Sequence, residues 1–460
     1  MLRRKAYENL LEWKKTKQNE TLLIKGARQI GKTFLVRQFG QNEYKSFIEI
    51  NFLKNPDFKA IFEGELTADE IYKRISAHIP SVKLINGSTL IFLDEIQKCS
   101  RARTSLKFLA EDNRYDIICS GSLLGLHYGQ DDDKEVEEVE SIPVGFERQL
   151  VMYSMDFREF LWAYGYSDED IAYLKSFFDE RKKIPVDILQ KFQAILKEYI
   201  VVGGMPEVVS TWVSTHSYEE CQSVQKEIVY TYEVDFAKYK KRANTTLLRL
   251  TLHSAAHQIG SKFVYSKVSR DFRSVQIKEA LSLLTLAGLL IPVYNTAANG
   301  FPLGAEADES CAKYLFLDSG LLLSILGMDL GSITTLSEQI LIGNATDLVN
   351  KGHITEMVAG LEIIKNMPPD SIPSLFFWMR SAKSSLAEVD YVMAKNMKIL
   401  PIEVKAEVRG GMKSLYAFME TKHINHAIRT SLENFGSFTK DNGKINIYPL
   451  YALRSLVIMK

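Results

Sequence analysis

The strongest constraint on the fold of this chain is an eight-residue stretch near its N-terminus. Gly26-Ala27-Arg28-Gln29-Ile30-Gly31-Lys32-Thr33 has the spacing GxxxxGK[ST] and lies between an apolar run, TLLIK, and a helical pattern, TFLVRQF. The glycines let the backbone curl so that its N–H groups point inward, and the helix that follows adds positive potential at its first turn. Such a cradle suits phosphate. Lys32 reaches the outer phosphates of a nucleoside triphosphate as a point charge, and Thr33 offers its hydroxyl to magnesium. The segment is therefore expected to bind ATP with Mg²⁺.

A strand–loop–helix of this kind belongs to a parallel sheet. The runs LLIKG (22–26), FIEINF (47–52), TLIFLDE (89–95) and YDIICSGS (115–122) read as buried strands separated by helix-length segments, the pattern of an α/β fold with crossover helices. The third ends in Asp94 and Glu95. In P-loop NTPases such a tip lies beside the phosphate loop, so Asp94 is expected to join Thr33 in holding the metal and Glu95 to polarise the attacking water. Two adjacent acids argue for hydrolysis rather than nucleotide storage. The next strand ends in Ser120, Gly121 and Ser122, and a polar residue there could sense the γ-phosphate or the attacking water; Ser122 is the preferred candidate.

With 460 residues, the chain needs two to four domains. We expect a nucleotide domain at 1–165, a helical lid at 166–243 broken at Val202-Gly203-Gly204-Met205-Pro206, a winged helix at 244–309 and an α/β domain at 310–460. The acidic run 131–140 reads as a solvated surface insertion. Lys plus Arg and Asp plus Glu are both 57, so the chain cannot coat nucleic acid through bulk charge. Contact with DNA or RNA would need a local patch, and Lys238-Tyr239-Lys240-Lys241-Arg242 is the better one. The helix near Ser274, Gln276 and Lys278 is only weakly basic. The four scattered cysteines form no CxxC pair, the N-terminus has no signal-peptide pattern, and Leu281 to Val293 is too short to span a bilayer. These features lead us to expect a cytoplasmic protein without a membrane partner; a homo-oligomer or a protein partner stays open.

In the tail, Glu388-Val389-Asp390 opens one strand pattern and Pro401-Ile402-Glu403-Val404-Lys405 closes the next. Alternation puts Glu403 and Lys405 on one face of their strand, and a hairpin would bring Asp390 near them. Two carboxylates and a lysine so placed can hold a divalent cation and orient a water for phosphodiester cleavage. The arrangement resembles the D…(D/E)xK pattern of restriction-endonuclease-like folds, in which Glu356 on the preceding helix would be the extra acid. A surface hairpin with alternating charges is the plain alternative.

Taken together, GARQIGKT, FLDEIQ, GSLLG, Ser141-Ile142-Pro143-Val144-Gly145, Phe157-Arg158-Glu159-Phe160-Leu161, Gly203-Gly204-Met205-Pro206, LFLDSGLL (315–322) and the EVDYV…PIEVKA pair resemble the AAA-like ATPases of bacteria and archaea that carry a C-terminal domain of unknown function. The resemblance implies a P-loop ATPase with a restriction-endonuclease-like tail. Where that family usually has arginine after the SxPVG glycine, this chain has Phe146, so the arginine's task is lost or moves to Arg148 or Arg158. Two functions fit: an ATP-driven enzyme acting on nucleic acid, or a nucleotide-dependent switch whose tail only binds. A small-molecule kinase would fit the P-loop but neither the tail nor the paired acids.

Overall fold

The computed structural model describes residues 2–122, 145–239, 243–328, 351–371, 373–382, 385–406, 411–440 and 443–458. The acidic run 131–140, residues 141–144 of the SxPVG stretch, the part of GSLLG beyond Ser122 and residues 240–242 of the basic cluster lie outside them. Contacts divide the chain into two units, one of Arg3–Tyr153 with Leu286–Gly288, the other of Ser154–Thr285 with Leu289–Lys460. Among the described residues no helix is long and apolar enough to cross a membrane.

The first unit is a parallel five-stranded sheet. Its strands are β1 (Thr21–Gly26), β2 (Ser46–Asn51), β3 (Thr89–Asp94), β4 (Asp116–Ser122) and β5 (Glu147–Val151), in the order β2-β3-β4-β1-β5. The helices are α1 (Ala6–Thr16), α2 (Lys32–Glu43), α3 (Ala68–His78) and α4 (Ser100–Asp112). Every residue of β3 is buried, as expected of a central strand covered on both faces. Leu23, Ile50, Leu93 and Cys119 share one core with apolar residues of α3 and α4, such as Ile71 and Leu106.

In the second unit, α5 (Phe157–Ala163), α6 (Asp168–Glu180), α7 (Val186–Val202), α8 (Pro206–Thr215) and α9 (Tyr218–Asp235) come first. Then follow α10 (Thr245–His257), α11 (Ser274–Leu286) and the antiparallel pair β6 (Leu290–Thr296) and β7 (Ala307–Phe316). After α12 (Ser319–Ile325) and α13 (Lys351–Lys365) come β8 (Phe376–Ala382), β9 (Ser385–Lys395), β10 (Lys398–Val404), α14 (Lys413–Thr421), β11 (His426–Ser431), β12 (Gly436–Lys440), β13 (Gly443–Pro449) and α15 (Arg454–Ile458). Their eight strands form one sheet, β12-β13-β11-β10-β9-β8-β6-β7. Because β6 pairs with β8, the hairpin at 290–316 is part of the tail's sheet, and position 310 falls inside β7.

Two of the sequence motifs, GGMP and LFLDSGLL, meet at one buried joint just ahead of a third, FREFL. Gly203 ends α7 at φ 80°, and the Gly204 N–H donates to Asp318 Oδ2 at 2.7 Å. Asp318 also caps α12, its Oδ1 accepting from Gly320 N–H at 3.0 Å and Leu321 N–H at 3.3 Å. Met155 N–H donates to Gly204 O at 2.7 Å, and a Cβ on Gly204 would lie 2.1 Å from Met155 O. Tyr199 Oη donates to Met155 O at 2.9 Å, and Lys365 Nζ at 3.0 Å. Asp318→Ala would strand three buried N–H groups at about 1–3 kcal/mol each. Its expected outcome is a loss of about 3 kcal/mol or more, seen as an earlier thermal transition by circular dichroism. Unchanged melting would show that this carboxylate does not hold the joint together.

Candidate functional site

The N-terminal site begins where β1 runs out. Gly26 has φ 156°, and a Cβ there would meet Ile30 Cδ1 at 2.3 Å and Met152 O at 2.5 Å. Gly31, at φ 90°, is the left-handed cap from which α2 starts. Arg4 anchors the loop from outside, donating through one Nη to Ile30 O at 2.6 Å and through the other to Tyr153 O at 2.8 Å. Lys32 folds back over the loop, its Nζ donating to Gly26 O at 3.0 Å and Ala27 O at 2.7 Å. Burial lowers its pKa to about 8, against the pull of Glu95 and Asp94, which favour the charged form.

Asp94 is the hub. Its buried carboxylate accepts from Thr33 Oγ1 at 3.1 Å, from Asn51 Nδ2 at 2.7 Å and from Ser120 Oγ. Burial raises its pKa, opposed by the hydrogen bonds from Ser120 and Thr33. The parallel sheet brings these groups together because β4 lies between β1 and β3, so strand ends deliver Asn51, Asp94 and Ser120 to one edge. Glu95 follows in a left-handed conformation, φ 57°, and its Oε2 accepts from Gln97 Nε2 at 2.5 Å. Thr33 with Asp94 is a hydroxyl–carboxylate pair that fits a largely hydrated Mg²⁺. Ser122 stands in register with Gly26 at the start of the loop; the serine that touches Asp94 is Ser120.

Sequence reading overlooked Arg4, Asn51 and Gln97, and of the two serines at the end of β4 it preferred Ser122 to Ser120. Asn51 and Ser120 carried one usable signal, a polar side chain at the C-terminal end of an otherwise apolar strand. Of the two arginines considered in place of the missing one, Arg148 pairs with Glu20 at 2.6 Å and stands opposite Leu22, at the end of β1 remote from the phosphate loop. Arg158 belongs to the second unit, 3.1 Å from Asp168 and stacked 4.4 Å from the Trp162 ring. Phe146 accepts from Thr21 N–H, with Lys107 Nζ 5.6 Å from its ring.

The second cluster lies in the tail. Strand β9 carries one extra residue against β8: Phe376 pairs with Val392 but Trp378 with Val389. Such a bulge re-aims side chains. Val389 and Val392 both enter the core formed with Leu415 and Phe418, while Tyr391 Oη donates to Glu356 O at 2.7 Å. Carboxylate oxygens of Glu356, Glu388 and Asp390 all lie within 4.8 Å of one another. Asp390 Oδ2 also accepts from Val404 N–H at 2.7 Å. On β10, Lys405 Nζ donates to Glu403 Oε1 at 2.6 Å, whereas Glu403 Oε2 is buried without a partner.

Lys313 of β7 and Glu388 were not anticipated. Lys313 Nζ is 2.7 Å from Glu356 Oε1 and also contacts Glu388, and the residue is only 2% exposed. Burial pushes Glu356 up to about 8 despite Lys313, with Asp390 pushing the same way. Glu403 is raised to about 7 by burial and then by the charge of Asp390, against Lys405. A lysine inside a sheet of apolar neighbours gives no periodic signal, so only the fold reveals Lys313 as the counterion of distant acids.

Comparison with known proteins bears on the first cluster most directly. Residues 18–161 match a family described as an AAA domain. Residues 193–331 and 351–453 match two families described as domains of unknown function, DUF8612 and DUF4143. No curated protein matches the sequence. Among solved structures, a Walker-type ATPase of Pyrococcus abyssi is similar at 13% identity and TM-score 0.43, over 71% of this chain and 96% of that one. A RuvB mutant of Thermotoga maritima follows at 14% identity and TM-score 0.28, over 63% and 90%. A protein of Vibrio cholerae aligns at 10% identity and TM-score 0.18, over 95% and 96%. With the Gly26–Thr33 loop and the Asp94 hub in place on a parallel sheet, residues 18–161 resemble a P-loop ATPase domain of the AAA kind.

Proposed function

We propose that this chain hydrolyses ATP with Mg²⁺ and couples turnover to a nucleic acid held by its tail. The observation that carries the first half is the Asp94 hub, which joins Thr33 of the phosphate loop to the ends of β2 and β4. Thr33 and Asp94 would hold the Mg²⁺, which, when bound, neutralises charge on the outer phosphates. Lys32 leaves the carbonyls of Gly26 and Ala27 to grip those phosphates, and its residual charge is secured by Asp94 and Glu95. Loop N–H groups from Ala27 to Thr33 complete the cradle. Glu95 orients and deprotonates the attacking water, its carboxylate positioned by Gln97.

For the second half, Glu356, Asp390, Glu403 and Lys405 form a nuclease-like set on a restriction-endonuclease-like sheet, with α10, α11 and the β6–β7 hairpin read as a winged helix. The gathered oxygens of Glu356, Glu388 and Asp390 fit a divalent cation, although Glu403 stands outside that group; its unpartnered Oε2 would have to turn toward Asp390 to share the ion. That ion would supply a polarised water for phosphodiester cleavage. Lys313 favours a second reading, since a buried ammonium already contacts both Glu356 and Glu388 and competes with an ion for them. In that reading the tail binds and does not cut, and ATP switches its affinity.

Incubation of the full chain with DNA or RNA and Mg²⁺ or Mn²⁺ separates the two. Cleavage is the expected outcome, reduced at least about 100-fold in Asp390→Ala. Binding without cleavage, unchanged by Asp390→Ala, would leave the switch.

A further inference from the structure

The second unit holds a cavity of about 880 Å³ that neither acid cluster uses. Its floor is the sheet, through Leu400 of β10, Ile428 of β11 and Tyr448 of β13. Its walls are α5 and α6, and the chain end from Tyr451 to Leu456 closes it. The volume lies within the range of small-molecule sites.

Its chemistry is specific. The ring of Tyr451 is wedged among Phe157, Phe178 and Phe192, with centroids 6.1–6.2 Å apart. The residue is only 7% exposed, yet its hydroxyl has no hydrogen-bond partner. A buried tyrosine hydroxyl normally finds one, so this one is presented to something that enters the cavity. Two of the lining acids have close partners: Asp168 accepts from Arg158 and Trp162, and Asp179 pairs with Lys175. Glu362 accepts from Phe157 N–H and Tyr199 Oη. Lys395 bonds only the carbonyl of Leu456, and Lys398 is exposed at the rim. Neither lysine is paired with an acid of the cavity among the described residues.

We propose that this cavity binds an aromatic organic anion of mononucleotide size. Its planar ring packs between Tyr448 and Phe178, its charge faces Lys395 and Lys398, and an acceptor on it takes the Tyr451 hydroxyl. This site is separate from the phosphate loop and does not depend on the ATPase reading. Calorimetric titration of the full chain with AMP tests it, because AMP lacks the β- and γ-phosphates that the loop grips. One saturable site is expected below about 1 mM, with adenosine and inorganic phosphate each at least about tenfold weaker. Lys398→Glu and Tyr451→Phe should each weaken AMP about tenfold, the first by charge at an exposed position and the second by one hydroxyl on a retained ring. Lys32→Ala should leave the site unchanged. The proposal falls if AMP does not saturate, if phosphate alone binds as tightly, or if Lys32→Ala removes binding that the two tail variants keep.

Discussion

Glu95→Gln is expected to lower steady-state ATP turnover by about 10²- to 10⁴-fold while leaving ATP affinity near that of the unaltered chain. Glutamine keeps the size of the side chain and can still bond Gln97, so the left-handed turn at φ 57° is not disturbed. It cannot take a proton. Binding rests on other groups, chiefly Lys32 and the loop N–H donors, so Lys32→Ala shows the reverse pattern and loses tight binding. Phosphate release and fluorescent-nucleotide titration measure the two quantities separately. Turnover by Glu95→Gln at the unaltered rate would move the general base elsewhere.

Lys313→Met is expected to destabilise the second unit by about 3–5 kcal/mol near pH 8, because it removes the ammonium from buried Glu356 while leaving the acid behind. The midpoint of its thermal transition should then drop by about 10 °C. The loss should depend on pH, and the sign follows from the acids. Glu356 and Glu403 rise from 4.5 to about 8 and about 7, so between these values the folded chain binds more protons than the unfolded one. Their contribution to stability therefore falls as pH rises from about 4.5 to about 8. Lys313 itself is raised above 10.5 and stays charged throughout that window. Without it Glu356 climbs further, and the fall with pH steepens. Differential scanning fluorimetry at pH 5.5 and pH 8 should show a small gap between variant and parent at the lower pH and a large one at the higher. Equal gaps would mean that packing rather than charge is what Lys313 contributes. Restoration by Mn²⁺ at pH 8 would show that an ion takes the vacated place.

The phosphate loop was legible because its whole mechanism is local: glycines, lysine and threonine act within eight consecutive residues. Strands β1, β3 and β4 were legible because central parallel strands are apolar runs, whereas β2, at the edge, showed through its alternating apolar residues. Arg4 and Asn51 were not legible, since only the fold brings them to the site, and the polar end of β4 offered Ser120 and Ser122 without saying which one meets Asp94. In the tail, the strand pattern alone placed Asp390 near Glu403 and Lys405, and Glu356 was added only by the resemblance to restriction-endonuclease-like folds. Glu388 stands two residues before Asp390 and shares its face by simple alternation, ahead of the bulge between Val389 and Val392, but no role was drawn for it. GGMP, FREFL and LFLDSGLL stood out as motifs without disclosing their role; the structure accounts for residues in or beside all three as partners in one joint.

That joint bears on how the gene can be divided. Chain contacts part after Tyr153, not at the end of the FREFL helix, and Phe157, Phe160 and Leu161 are buried within the second unit. A fragment ending near 165 would carry an apolar helix stripped of its neighbours, and the complementary fragment would lose the Met155 carbonyl that Tyr199 and Lys365 share. A cut at 153/154 spares both. The short stretch from Ser154 to Phe157 therefore goes with the second unit, and a chimaera that joins the N-terminal unit to another domain should break the chain just ahead of it.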